Sequence, residues 1–287
     1  MQNPFRSQSI PLGALFLTLA WALQTCMAVF ACFSHPEASI WMVMLFQSAL
    51  SFALTLPWMR RRFLHFESWG LLIFRTACGF LGSACIFSAL ACTTIVNTTL
   101  LQNTAPLFLP IVLFLWLRQK VAPKMWIGII VGFIGVAFIL KPTGSFAEEE
   151  GALFGLAAGV LWAMAQIALR LLTNREKGPS ILFYYFGILT LATLPFAYMT
   201  YAPLSKLCLL WLFLSALSAY LSQVCYVKAF TYARPIKINP FNYTGVIFSY
   251  IAGWLIWHRQ PDLWGYLGIG LIALGTAYTL YLDKKAA

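Results

Sequence analysis

Arg75 is a solitary positive charge inside an apolar run, six residues beyond Trp69. A guanidinium in such a place either binds an anionic group, a carboxylate being the simplest, or snorkels back to the polar interface. The first reading makes Arg75 a ligand for a substrate and the second makes it an anchor; both stand at this point. A second concentration of polar groups lies in "LLQNTAPLFLP" at 100–110, where Gln102 and Asn103 interrupt hydrocarbon. On a continuous helix Gln102, Pro106 and Pro110 share one face, and the prolines free backbone carbonyls that only a water-filled cavity tolerates. Asn239, Asn242 and Tyr243 repeat that polarity near the other end of the chain, while Gln223 and Tyr226 accompany a stripe of Ser215, Ser218 and Ser222. Trp21 with Gln24, and Trp162 with Gln166, complete the set. Together these groups suit the holding of a polar organic molecule: a cation for a carboxylate, amides for ring edges, and aromatic faces for a flat ring or an onium charge. For each Ser, Gly, Asn or Gln the competing explanation is hydrogen bonding and close packing between helices.

Bond-making chemistry finds less support. None of the eight acidic residues lies in the middle of an apolar run, and His35, His65 and His258 sit at run ends without metal-ligand or acid–base spacing. The seven cysteines have no C-x-x-C pair and lie almost entirely within apolar runs, so they read as small packing residues. No catalytic residue, metal site or cofactor is therefore expected, which counts against a membrane-embedded enzyme, one rival class; a scaffold, the other, would not need matching polar faces. Proton pumps commonly relay protons through membrane carboxylates, so their absence from mid-run positions favours facilitated diffusion or substrate exchange.

The elements that must position these residues are membrane spans. The 287-residue chain is 61% hydrophobic and 9% charged, far outside the balance of a soluble domain. Its net charge of +11 is scattered between apolar runs and forms no basic domain for nucleic acid. Apolar runs near the length that crosses a bilayer occur at 11–33, 38–58, 69–91, 94–117, 124–141, 151–173, 180–202, 207–231, 236–257 and 262–282. Lipid-exposed backbone must satisfy its own hydrogen bonds, so all ten are expected to be helices in an all-α integral membrane protein. With the N-terminus inside, Arg60, Arg61, Arg62, Arg118, Lys120 and Lys124 fall inside with most other basic residues, whereas Lys141, Lys206, Arg259 and the acidic "FAEEEG" fall outside. That asymmetry predicts both termini in the cytoplasm.

The chain also repeats itself. At an offset of 140, Leu81 meets Leu221, Cys85 meets Cys225, Thr104 meets Thr244 and Gly135 meets Gly275; "GALF" recurs at 13–16 and 151–154. Two halves of five spans, 11–141 and 151–282, must cross the membrane in opposite senses because five is odd. Inverted repeats around a central cavity are typical of secondary transporters.

The stretches "FRTACGFLG", "NTTLLQNTAPLF", "IGIIVGFIGVAFILKP" and "NPFNYTGVIFSYIAGWLIW" resemble the drug/metabolite transporter superfamily with two EamA-type repeats, over about 11–282. The Asn-Thr-Ala-Pro and Asn-Pro-Phe-x-Tyr versions are most similar to the branch holding bacterial S-adenosylmethionine uptake and riboflavin transporters. The resemblance implies ten helices in two inverted EamA repeats, a small-molecule metabolite as partner besides the lipid bilayer, and a bacterial inner membrane as location. It further implies S-adenosylmethionine uptake, with exchange for S-adenosylhomocysteine, the alternatives being an amino-acid or metabolite exporter and a riboflavin importer of the same superfamily. Many relatives carry Gly-Glu after the fourth and ninth spans, where this chain has Arg118-Gln119 and His258-Arg259. The sequence carries no signal of oligomeric state.

Overall fold

The structure is a computed structural model and describes residues 9–59, 66–93, 104–118, 146–233, 244–258 and 263–286. Single positions between these stretches are also described, among them Thr98, Leu101, Gln102, Ile238 and Asn242. All regular structure among the described residues is helical: α1 Ile10–Ser34, α2 Ile40–Thr55, α3 Trp69–Cys92, α4 Ala105–Leu117, α5 Phe146–Arg175, α6 Gly178–Met199, α7 Lys206–Tyr232, α8 Thr244–Trp257 and α9 Leu263–Ala286. Segments within α1, α3, α5, α6 and α7 are long and apolar enough to cross a membrane. The expected fifth span, 124–141, and the "RRRF" loop at 60–63 lie mostly or wholly outside the described residues. Leu15, Leu115, Leu191 and Leu263 stand exposed, as lipid-facing side chains do.

Two expectations about helix bounds are corrected. Helix α5 begins at Phe146 and not at 151, so its opening turn precedes the expected apolar span. The fourth span is not one continuous helix. At Thr104 the backbone N–H bonds Leu101 O at 3.0 Å in a tight turn, and α4 starts at Ala105, which places Pro106 in its first turn, where proline's missing N–H costs nothing. Gln102 therefore does not share an unbroken helix face with Pro106 and Pro110. The ninth span breaks at the equivalent place: Phe241 and Asn242 form a single short turn and α8 begins at Thr244. The Thr104 hydroxyl donates to Leu101 O at 2.6 Å and the Thr244 hydroxyl to Phe241 O at 2.7 Å, the same bond 140 residues apart. Helices α4 and α8 then end at Leu117 and Trp257, each followed by a residue at positive φ, Arg118 at 50° and His258 at 52°.

The chain forms two compact units, residues 1–80 with 168–238 and residues 81–167 with 239–287, so each unit draws on both sequence halves. In the first unit α1 and α7 run antiparallel and meet at a seven-residue interval. The Cys208 thiol reaches Ser34 O at 3.6 Å, the Ser215 hydroxyl donates to Met27 O at 3.1 Å and the Ser222 hydroxyl donates to Ala20 O at 2.9 Å. A seven-residue spacing keeps one seam in register along two long helices, and small side chains let the backbones approach. Two carboxylates tie this unit together across the sequence halves. Glu37, in the loop after α1, accepts from Ser205 N at 2.8 Å and from its hydroxyl at 2.9 Å at the start of α7. Glu176, just after α5, accepts from Glu67 N and Ser68 N at 3.0 Å each at the start of α3. Both supply acceptors to N–H groups that a helix start leaves without partners.

In the second unit Gly151 of α5 meets Cys92 and Thr93, Gly155 meets Leu101, and Gly159 meets Thr104 and Leu101. A Cβ at Gly159 would stand 2.5 Å from Thr104 Oγ1 and 2.9 Å from Leu101 O, so only glycine admits the backbone break of the fourth span this close.

Candidate functional site

Arg75 lies on α3 in the first unit and is 4% exposed. Its Nη2 donates to Gln223 Oε1 on α7 at 3.2 Å, and its Cζ lies 4.1 Å from the centroid of the Tyr185 ring on α6. The Nη1 atom is buried and has no hydrogen-bond partner, and no carboxylate is bonded to the guanidinium among the described residues. Buried charges ordinarily carry a counter-charge or a full set of hydrogen bonds, because desolvating an ion costs several kcal/mol. This one has an aromatic face and one amide oxygen.

Of the sequence-designated residues, the structure brings Arg75 and Gln223 into direct contact. Tyr226, one turn from Gln223 on α7, is buried and packs edge-on against Phe230 with centroids 4.9 Å apart. Trp21 is buried on α1, and Gln24, one turn on, accepts from the Ser222 hydroxyl at 3.2 Å. The Ser215 hydroxyl also accepts from Gln47 Nε2 at 2.8 Å. With their bonds to α1 carbonyls, Ser215 and Ser222 are committed to helix pairing, so the packing explanation holds for that part of the serine stripe. Lys228 is exposed, its ammonium 5.3 Å from the Phe16 ring.

In the second unit Gln102, Gln166 and Asn242 are all buried, and Gln166 Oε1 has no hydrogen-bond partner among the described residues. Trp162 is half-buried, its indole 3.4 Å from where a Gly82 Cβ would stand. Asn103, Asn239 and Tyr243 lie outside the described residues.

Tyr185 is the residue that sequence reasoning missed, because an aromatic in an apolar run has no polar signature. A pointer existed on α3: Gly79 lies one turn beyond Arg75 and leaves room on that face. A Cβ at Gly79 would come within 2.9 Å of Tyr185 Oη and 3.3 Å of its Cε2. The arrangement offers a charged hydrogen-bond donor of the kind that suits an oxyanion.

The profile of the EamA-like transporter family matches residues 8–141 and 150–281. The chain is 27% identical to the "Riboflavin transporter" of Vibrio cholerae, with 95% of this chain and 94% of the relative covered. It is 26% identical to the "Pseudopaline exporter CntI" of Pseudomonas aeruginosa, with 85% of this chain and 86% of the relative covered. To the "S-adenosylmethionine uptake transporter" of Rickettsia conorii it is 29% identical, with 67% and 65% covered. A crystal structure superposes with a TM-score of 0.68 at 15% identity, covering 96% of this chain and 98% of the other, a likeness of fold alone.

Proposed function

The chain belongs to the EamA-like transporter family, and from that premise we propose that it carries a carboxylate-bearing organic metabolite, S-adenosylmethionine first among them, across a bacterial inner membrane by alternating access. Its ten helices form two inverted five-helix halves, and both termini are cytoplasmic. The observation that carries the substrate class is the buried Arg75 Nη1, without a partner among the described residues, which a substrate carboxylate would complete. The recurrence at an offset of 140 of the Thr104 and Thr244 bonds supports the repeat, as do the positive φ values at Arg118 and His258. Discontinuous spanning helices in corresponding positions of two halves are a feature of transporters that bind substrate near the midplane.

A riboflavin importer is the second reading, favoured by the nearly full-length match to the Vibrio cholerae relative. Riboflavin bears no carboxylate, so the two readings separate at Arg75. The test is uptake of labelled S-adenosylmethionine, riboflavin and amino acids by cells expressing the protein, with and without preloaded counter-substrate. Uptake of S-adenosylmethionine accelerated by preloaded S-adenosylhomocysteine is expected; uptake of riboflavin alone would reject the carboxylate reading.

A further inference from the structure

We infer that Tyr185 is a positioning residue: its ring fixes the plane of the Arg75 guanidinium so that Nη1 is the nitrogen offered to substrate. The inference rests on the reading that Arg75 meets a substrate carboxylate. An arginine side chain is long, and an untethered one must be ordered each time it binds. Here two contacts order it in advance, and a glycine makes room for one of them. The Arg75 Cζ lies over the Tyr185 ring, 4.1 Å from its centroid, and Gln223 Oε1 accepts from Nη2 at 3.2 Å. Gly79 then leaves the ring its place, since any Cβ there would press on Tyr185 Oη and Cε2. Tyr185 is itself 5% exposed, so the ring is walled in and cannot swing away cheaply. With Nη2 engaged and Cζ over the ring, Nη1 is a buried nitrogen without a hydrogen-bond partner among the described residues.

A stacked guanidinium is held by the ring's π face and not by its hydroxyl. Tyr185→Phe should accordingly keep most of the site's preference for a carboxylate, whereas Tyr185→Leu should lose it. Gly79→Ala should act as a partial Tyr185→Leu, and should do less harm when combined with Tyr185→Phe, because the atom nearest the new Cβ is then gone. A side chain that merely fills space would make none of these distinctions.

The experiment measures binding of labelled decarboxylated S-adenosylmethionine to the purified full-length protein, normalised to folded transporter, with S-adenosylmethionine and the unlabelled decarboxylated compound as competitors. The ratio of the two inhibitory concentrations reports the carboxylate. Tyr185→Leu is expected to weaken S-adenosylmethionine roughly tenfold while leaving the decarboxylated competitor unchanged, the size of effect that losing one charged hydrogen bond produces. Equal weakening of both competitors, or loss of folded protein at an unchanged ratio, would make Tyr185 a packing residue and overturn the inference. If Tyr185→Leu does not fold, Gly79→Ala alone and with Tyr185→Phe decides by the same ratio. Arg75→Gln separates the two levels: a collapsed ratio in Arg75→Gln with a wild-type ratio in Tyr185→Leu rejects only the positioning role. A wild-type ratio in Arg75→Gln, or no competition in the wild type, rejects the carboxylate reading and this inference together.

Discussion

At Arg118 and His258 two exposed, non-glycine residues close helices at φ values of 50° and 52°. A side chain with a Cβ pays about 1 kcal/mol or more in that left-handed region, and glycine pays nothing. Arg118→Gly and His258→Gly are each expected to raise stability by about 1 kcal/mol, seen as a higher midpoint in thermal unfolding of the detergent-solubilised protein. A lower midpoint in both would mean that the lost side chains outweigh the relieved backbone. Glu37 offers a second test at this scale. Hydrogen bonds from the Ser205 N–H and hydroxyl hold its carboxylate below the ordinary value. A group whose folded pKa is depressed stabilises fully above its unfolded pKa, near 4.3 for glutamate, and loses that contribution as pH falls through the folded value. The thermal midpoint of Glu37→Gln should therefore depend less on pH below about 5 than that of the wild type; parallel acid limbs would remove Glu37 from the linkage. The sequence exposed Arg75, because a charge in hydrocarbon is conspicuous, and it set Gln223 among polar neighbours. It did not expose the partner of Ser215 or Ser222, since a backbone carbonyl on another helix leaves no trace in residue type. The glutamates at 37 and 176 read only as span-end acids for the same reason.

Helices α1, α3, α6 and α7 follow the apolar runs closely, because length and hydrocarbon content determine a spanning helix almost alone. The breaks before α4 and α8 were less legible. The polar residues and prolines marked the places, yet spacing counted along an unbroken helix put Gln102 and Pro106 on one face, and the turn at Thr104 interrupts it. Where that turn meets α5 the fit is tight, so Gly159→Ala should destabilise by about 1 to 3 kcal/mol through overpacking against Thr104 and Leu101 O. Gly70, on α3 with nothing within 4 Å of where a Cβ would stand, is the control: Gly70→Ala should be neutral or slightly stabilising. Urea or thermal unfolding of both variants decides; equal effects would mean that the α5 approach is loose. Ser215→Ala and Ser222→Ala should cost about 0.6 kcal/mol each, the usual size of a hydrogen bond between membrane helices.

For the whole molecule, the family and its two repeats give a transporter, and the offset of 140 visible in residue identities reappears in bonds and dihedral angles. The division into compact units was not legible, because it follows packing between distant helices rather than sequence order. The proposed topology predicts that a cysteine at Arg61 resists an impermeant thiol reagent in intact cells while one at Glu149 reacts; the opposite pattern would turn the molecule over. Gln102→Leu and Asn242→Leu, at buried amides, are expected to lower transport per folded molecule well beyond any loss of folded protein, and wild-type rates in both would make those amides packing groups. The most direct measurement is uptake of labelled S-adenosylmethionine into liposomes containing wild-type, Arg75→Lys or Arg75→Gln protein, normalised to folded transporter. The predicted result is saturable uptake by the wild type, apparent affinity roughly tenfold or more weaker in Arg75→Gln, and only partial recovery in Arg75→Lys, since an ammonium does not reproduce the planar, ring-stacked guanidinium. Uptake by Arg75→Gln indistinguishable from that of the wild type would contradict the account.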